Sequence, residues 1–287
     1  MSDNREHEVR ALLAFYQDAG VDALLGESPV DRLAESLPQE AARVNAAVAR
    51  SPSVRNPSAH QPSGSFAGRA GGTMAPLSPE AAVAAAREAA KAAASLEELR
   101  EMLRHFEGCA LRGTATQLVF ADGNPQARVM FVGEAPGREE DIQGLPFVGR
   151  SGQLLDRMMG AIGLDRKSAY IANIVPWRPP GNRTPTPQES AICLPFILRQ
   201  IELADAELLV CLGGPSAQTL LNIKDGIIKN RGRWFRYQAG AREMRALATF
   251  HPAYLLRQPL QKRLAWRDFL AIKKALAAAQ SAAGTTH

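Results

Sequence analysis

The chain is poor in cysteine, and it has no long apolar run. Its three cysteines, Cys109, Cys193 and Cys211, are too few and too scattered for a disulfide framework, so a reducing cytoplasm is the expected compartment. No stretch of about 18 apolar residues occurs, and the first ten residues are charged and carry no apolar core. A membrane span and a secretory signal are therefore not expected. No glycine-rich loop ends in Gly-Lys-Ser/Thr, and no GxGxxG is present, so the usual nucleotide cradles are missing. No internal repeat is visible.

What is present is spread unevenly over 287 residues with a net charge of +5. That modest basic excess fits a nucleic-acid partner without demanding one. Within residues 1–50, Val9, Leu12, Leu13 and Tyr16 fall at helical spacing. Residues 51–77 are rich in Ser, Pro and Gly and have little to bury, so they read as a flexible linker. Residues 78–280 read as the main domain. Ser78-Pro79-Glu80 opens one helix, and Ser95 with Glu98 resembles a capping box for a second.

From about residue 110 the texture changes. Short β-branched runs appear at 128–132, 169–175, 208–212 and 246–250, with helical segments between them. This alternation predicts an α/β fold with a parallel sheet covered on both faces. Ligands of such sheets bind at the carboxyl ends of the strands. The polar residues there are Gly133-Glu134, Asn173, Gly213-Gly214 and His251.

Five motifs carry chemistry, and each also has a bland reading. Gly133-Glu134-Ala135-Pro136-Gly137 is a tight turn that brings backbone N–H groups near a ligand, or an ordinary strand-to-helix turn. Phe147, in the loop Gly144–Gly152, offers a flat face for a base, or plugs its loop into the core. Asn173 presents a donor and an acceptor side by side, as a pyrimidine edge requires, or is a satisfied buried amide. The loop Arg178–Pro187 carries Arg178, Asn182 and Arg183 on a proline-stiffened frame suited to phosphate. His251 can donate to developing negative charge, and Leu255 and Leu256 beside Arg257 suit a wedge, or begin a helix packed on the core.

Taken in order, GEAPG, GLPFVGRSGQLLD, YIAN, RPPGNRTPT and HPAYLLR resemble the family 4 uracil-DNA glycosylases over about residues 106–276. The resemblance implies a three-layer α/β/α sandwich around a four-stranded parallel sheet. It implies uracil flipped from single- or double-stranded DNA and hydrolysed from its sugar by a monomer, which initiates base excision repair. Phe147 would stack on uracil, Asn173 would read its N3/O4 edge, and the backbone at Ala135 would touch it. His251 would stabilise the departing anion. Glu134 and Glu140 are the candidates to position water, and Leu255 is the expected wedge. Arg178, Asn182, Arg183 and Arg257 would meet the DNA.

Two departures stand out. The family characteristically holds a 4Fe-4S cluster on four cysteines. Here Cys109 and Cys193 match two of those positions, while Phe106 and Trp177 stand at the others and Cys211 fits neither gap. Two thiolates cannot hold a cubane, so no cluster and no other cofactor is expected. The second departure is Ala135, where the best-known glycosylase family has a water-activating aspartate. The 178–185 loop also lacks the histidine of a related subgroup that bonds covalently to abasic sites, so turnover is expected. The competing reading is a protein that binds uracil or abasic sites without cutting.

Overall fold

The computed structural model describes residues 78–283; side-chain surroundings are described to residue 278. The expected helical segment within residues 1–50 and the linker at 51–77 lie outside the described residues.

Four apolar runs form the parallel centre of the sheet. They are β2 (Val129–Gly133), β3 (Tyr170–Asn173), β4 (Leu208–Leu212) and β6 (Arg242–Thr249). Two short strands cap the edges antiparallel to their neighbours: β1 (Asp122–Gly123) on β3, and β5 (Trp234–Ala239) on β6. The order is β1-β3-β2-β4-β6-β5. The expected four-stranded parallel sheet is thus the core of a six-stranded mixed one. β2, β3 and β4 are buried at every position, because helices cover both faces.

The alternation along each strand sorts the layers. Met130, Val132, Ala172, Leu209, Cys211, Ala246 and Ala248 face one layer. There α1 (Pro79–Ala92), α2 (Leu96–His105) and α5 (Pro187–Ala204) lie over the sheet. Val129, Phe131, Ile171, Val210 and Leu247 face the other. They pack on Leu155 and Met159 of α4 (Arg150–Gly160) and on Phe269 and Ile272 of α9 (Lys262–Ala283). The rings of Phe131 and Phe269 stack at 6.0 Å.

The helix starts follow from their capping chemistry. Ser78 Oγ accepts from Ala81 N, and Ser95 Oγ accepts from Glu98 N. The Glu98 carboxylate reaches back to Ala94 N, one residue short of a reciprocal box. Thr186 and Glu189 form the complete box. Four shorter helices finish the layers: α3 (Arg138–Gln143), α6 (Gly214–Leu221), α7 (Ile227–Asn230) and α8 (Pro252–Arg257). Among the described residues no helix is long and apolar enough to cross a membrane.

Candidate active site

β2, β3 and β6 deliver three polar groups to one edge of the sheet. β2 ends at Gly133, hydrogen-bond register places Gly133 opposite Asn173, and β6 leads through Phe250 to His251. Gly133 is there because nothing larger fits. A Cβ at this position would overlap Asn173 Oδ1 and come within 2.6 Å of the Phe147 ring. The missing side chain lets the amide and the phenyl ring converge on the strand end.

Asn173 is buried, and its Oδ1 has no hydrogen-bond partner among the described residues. Buried polar atoms are normally satisfied, so an acceptor left open in a protein interior marks a place for a donor from outside. Phe147 lies beside it, buried and in the left-handed region at φ 55°. A bulky residue adopts that conformation only when its surroundings enforce it. Arg166 does so from the loop after α4. Its guanidinium donates to the carbonyls of Phe147 and Pro146 and pairs with Asp122 and Asp156. Gly152 allows the same carbonyl to press against α4, where any Cβ would collide with it.

His251 closes the group, its ring 5.4 Å from that of Phe147. Its Nδ1 accepts from Ala253 N at 3.1 Å, which caps α8. The neutral ring must then carry its proton on Nε2, which is left to donate. Burial, helped by the charge of Arg257, lowers its pKa to about 4. Near neutral pH this histidine is therefore an uncharged donor.

The two acidic candidates separate cleanly. Glu140 is buried, and both its oxygens are used. Oε2 accepts from Gly137 N, and Oε1 accepts from Val148 N and Gly149 N. It fastens the Gly133–Gly137 turn to the Phe147 loop through three backbone N–H groups. Of the two carboxylates expected to position water, Glu140 is thus the one already engaged by backbone N–H groups. Glu134 makes no side-chain hydrogen bond or ion pair among the described residues, and burial raises its pKa. Ala135 follows it, half-buried.

Leu255, the expected wedge, is fully buried against Phe250 and Ala265 on α8. Leu256 and Arg257 are the exposed members of that segment. In the 178–189 loop the polar groups bind one another. Arg178 Nε donates to Asn182 Oδ1 at 2.6 Å. Arg183 grips Glu189 with two hydrogen bonds, at 2.7 and 2.8 Å, and holds its pKa down to about 2.

The thiols lie elsewhere, between the 3-10 turn Ala110–Gly113 and α5. Cys193 Sγ donates to Cys109 Sγ at 3.9 Å, which lowers the Cys109 pKa. Phe106 meets Phe196 edge-on at 5.0 Å, and Trp177 is buried in the same cluster. Cys211 sits within β4, where burial pushes its thiol up to about 12. This donor set, two adjacent thiols with Phe106 and Trp177 at the other two expected positions, does not fit a cluster that needs four thiolates.

Reading from sequence missed Arg166, the close packing that requires Gly152, and a buried link at the end of β6. There Thr249 donates to Asp268, which also binds Arg231. Gly152 gave a signal as a glycine inside a helix. Arg166 and Asp268 gave none, because their partners are distant in the chain.

Comparison with known proteins bears on this geometry. The family described as the Uracil DNA glycosylase superfamily matches residues 120–270. A type-4 uracil-DNA glycosylase of Archaeoglobus fulgidus is 37% identical over 179 residues, covering 61% of this chain and 90% of that protein. One from Thermotoga maritima is 41% identical over 163 residues, covering 56% and 83%. One from Saccharolobus solfataricus is 36% identical over 187 residues, covering 63% and 87%. The chain belongs to the uracil-DNA glycosylase superfamily, in its type-4 branch.

Proposed function

We propose that this chain extrudes uracil from DNA and hydrolyses the bond joining it to deoxyribose, leaving an abasic site and free uracil for base excision repair to follow. The observation that carries this is the open Oδ1 of Asn173, buried beside the Phe147 ring at the end of β3. Uracil supplies what that atom lacks, an N3–H, and its O4 accepts from the same amide. Cytosine would present an acceptor at that position and leave the amide oxygen unpaired, a strong basis for rejection.

Breaking the C1′–N1 bond sends its electron pair to the base and builds positive charge on the sugar. The neutral His251 donates from Nε2 to uracil O2 as the anion forms. Its depressed pKa helps here, because the donor needs no prior protonation. Glu134 has the free carboxylate, and its raised pKa suits it to accept a proton from the water that attacks C1′. Glu140 acts by holding two loops together. Leu256, exposed where Leu255 is not, fills the gap left by the departed base, with Arg257 beside it. Arg178, Asn182 and Arg183 present a pre-braced loop to the DNA backbone.

We assign this activity to residues 78–280, acting as a cytoplasmic monomer on single- or double-stranded DNA. The protein works without an iron–sulfur cluster, its place being taken by Phe106 and Trp177. Two measurements on the purified chain test the reading. Uracil should be released from a uracil-bearing oligonucleotide by the native protein, with kcat/KM falling about 10²-fold in Asn173→Ala, as expected for two hydrogen bonds of about 1.5 kcal/mol each. Iron and acid-labile sulfide should be absent; stoichiometric amounts of both would overturn the cluster-free reading. Tight binding without any base release would replace hydrolysis by the lesion-sensor reading.

A further inference from the structure

A groove of about 430 Å³ opens beside the recognition loop. Arg100, Arg104 and Arg112 line it together with Gln117, Leu145 and Trp177. Arg100 and Arg104 are one helical turn apart on α2 and share a face. Arg112 arrives from the following 3-10 turn and donates from Nε to the Arg104 carbonyl at 3.0 Å. No carboxylate lines the groove. Arg104 pairs with Glu101 at 2.6 Å, and Arg112 reaches Glu107 at 3.8 Å, both exposed partners outside the lining. Arg100 has no ion-pair partner among the described residues. Arg100 thus has no counter-charge among the described residues, and the partners of Arg104 and Arg112 lie outside the groove, so an anion entering it meets positive charge without a carboxylate in the lining.

The groove is also wired to the base slot. Its wall residues Thr116 and Gln117 are held by Asp141, which accepts from both backbone N–H groups and from the Thr116 hydroxyl. Asp141 is the neighbour of Glu140 on α3, and Glu140 fastens the Phe147 loop. Gln117 binds the Ile142 carbonyl and lies against Gly144. The groove's far lip, Gly144-Leu145, is two residues from Phe147.

We propose that this groove takes backbone phosphates of the same DNA strand whose uracil occupies the slot. The proposal rests on the glycosylase reading of that slot. A polymer with one nucleotide held at Phe147 necessarily carries its next phosphates along the neighbouring surface. The arginine-lined groove is continuous with that loop, and half-exposed Leu145 offers an apolar contact for a sugar or base on the way.

The test is Arg100→Gln with Arg104→Gln, assayed on the full chain with single-stranded uracil oligonucleotides, one long and one too short to reach from slot to groove. On the long strand, the slope of log affinity against log salt should become shallower by about 1.4, the loss of two single-strand phosphate contacts. KM should rise while kcat at saturation is unchanged, and Arg100→Lys should keep the native slope. On the short strand nothing should change. An unaltered slope, or an equal loss on both strands, overturns the proposal. A native protein that frees no uracil while the variant still loses its salt slope would remove the glycosylase reading and leave the groove standing.

Discussion

At the ends of β2, β3 and β6 the chain leaves polar groups without partners, whereas between α2 and α5 it fills space with rings and pairs what little polarity remains. In the first region Asn173 Oδ1 is open, Glu134 is unbonded and His251 keeps a free donor. In the second, Phe106 packs on Phe196, Trp177 is buried in the same core, and two thiols bond each other. Open polar groups lower the stability of the empty protein, and aromatic packing raises it. The difference separates polar groups left open at the strand ends from a region closed by packing.

That contrast can be broken experimentally. The largest effect is expected in the packed region. Trp177→Ala should cost about 3–5 kcal/mol of stability, seen as a fall in denaturation midpoint, with little change in kcat wherever the protein remains folded. Loss of kcat out of proportion to stability would move Trp177 into the site. His251→Ala should show the opposite pattern. Its kcat should drop about 10²–10³-fold through loss of the leaving-group donor. Stability should fall by only about 1 kcal/mol, from the lost cap on α8.

Arg166→Ala lies between the two. It releases the Phe147 carbonyl, so the strained left-handed conformation, worth about 1–3 kcal/mol, should relax and the stacking ring should leave its place. Both KM and stability should worsen, and Arg166→Lys should rescue them only in part, because a single ammonium cannot span the same partners. The smallest effect is on pH. The raised pKa of Glu134 should place an acid limb in kcat above the ordinary carboxylate range, and Glu134→Gln should abolish it along with much of the rate. His251 titrates the other way. Its folded pKa near 4 lies below the ordinary 6.5, so its contribution to stability is complete above about 6.5 and is lost as pH falls towards 4.

The four parallel strands were legible because short, unbroken apolar runs set between helical stretches suit strands covered on both faces. The edges were not. β5 opens on two adjacent aromatics, carries a single charge at Arg236 and so shows no clear alternation, and it turns on Gly240-Ala241 with Gly240 at φ 57°. β1 is two residues long and exists only because β3 is beside it. At the site, Phe147, Asn173 and His251 were visible at their strand ends and loop, and they do converge. The surroundings of Glu140 and Leu255 were not legible, for one reason. A carboxylate in an acidic run and a leucine after His-Pro look exposed in sequence, and only packing shows that one is wrapped in amides and the other is core.

The open acceptor on Asn173 also links product to protein lifetime. Folding leaves one hydrogen bond unmade, and free uracil completes it. Any base that binds the folded form and ignores the unfolded one adds its binding free energy to the protein's stability. Melting temperature should therefore climb with uracil concentration, climb less with thymine if the slot is as close-fitting as Gly133 and Phe147 make it, and stay still with cytosine. The enzyme would in this way report its own product without cutting any DNA.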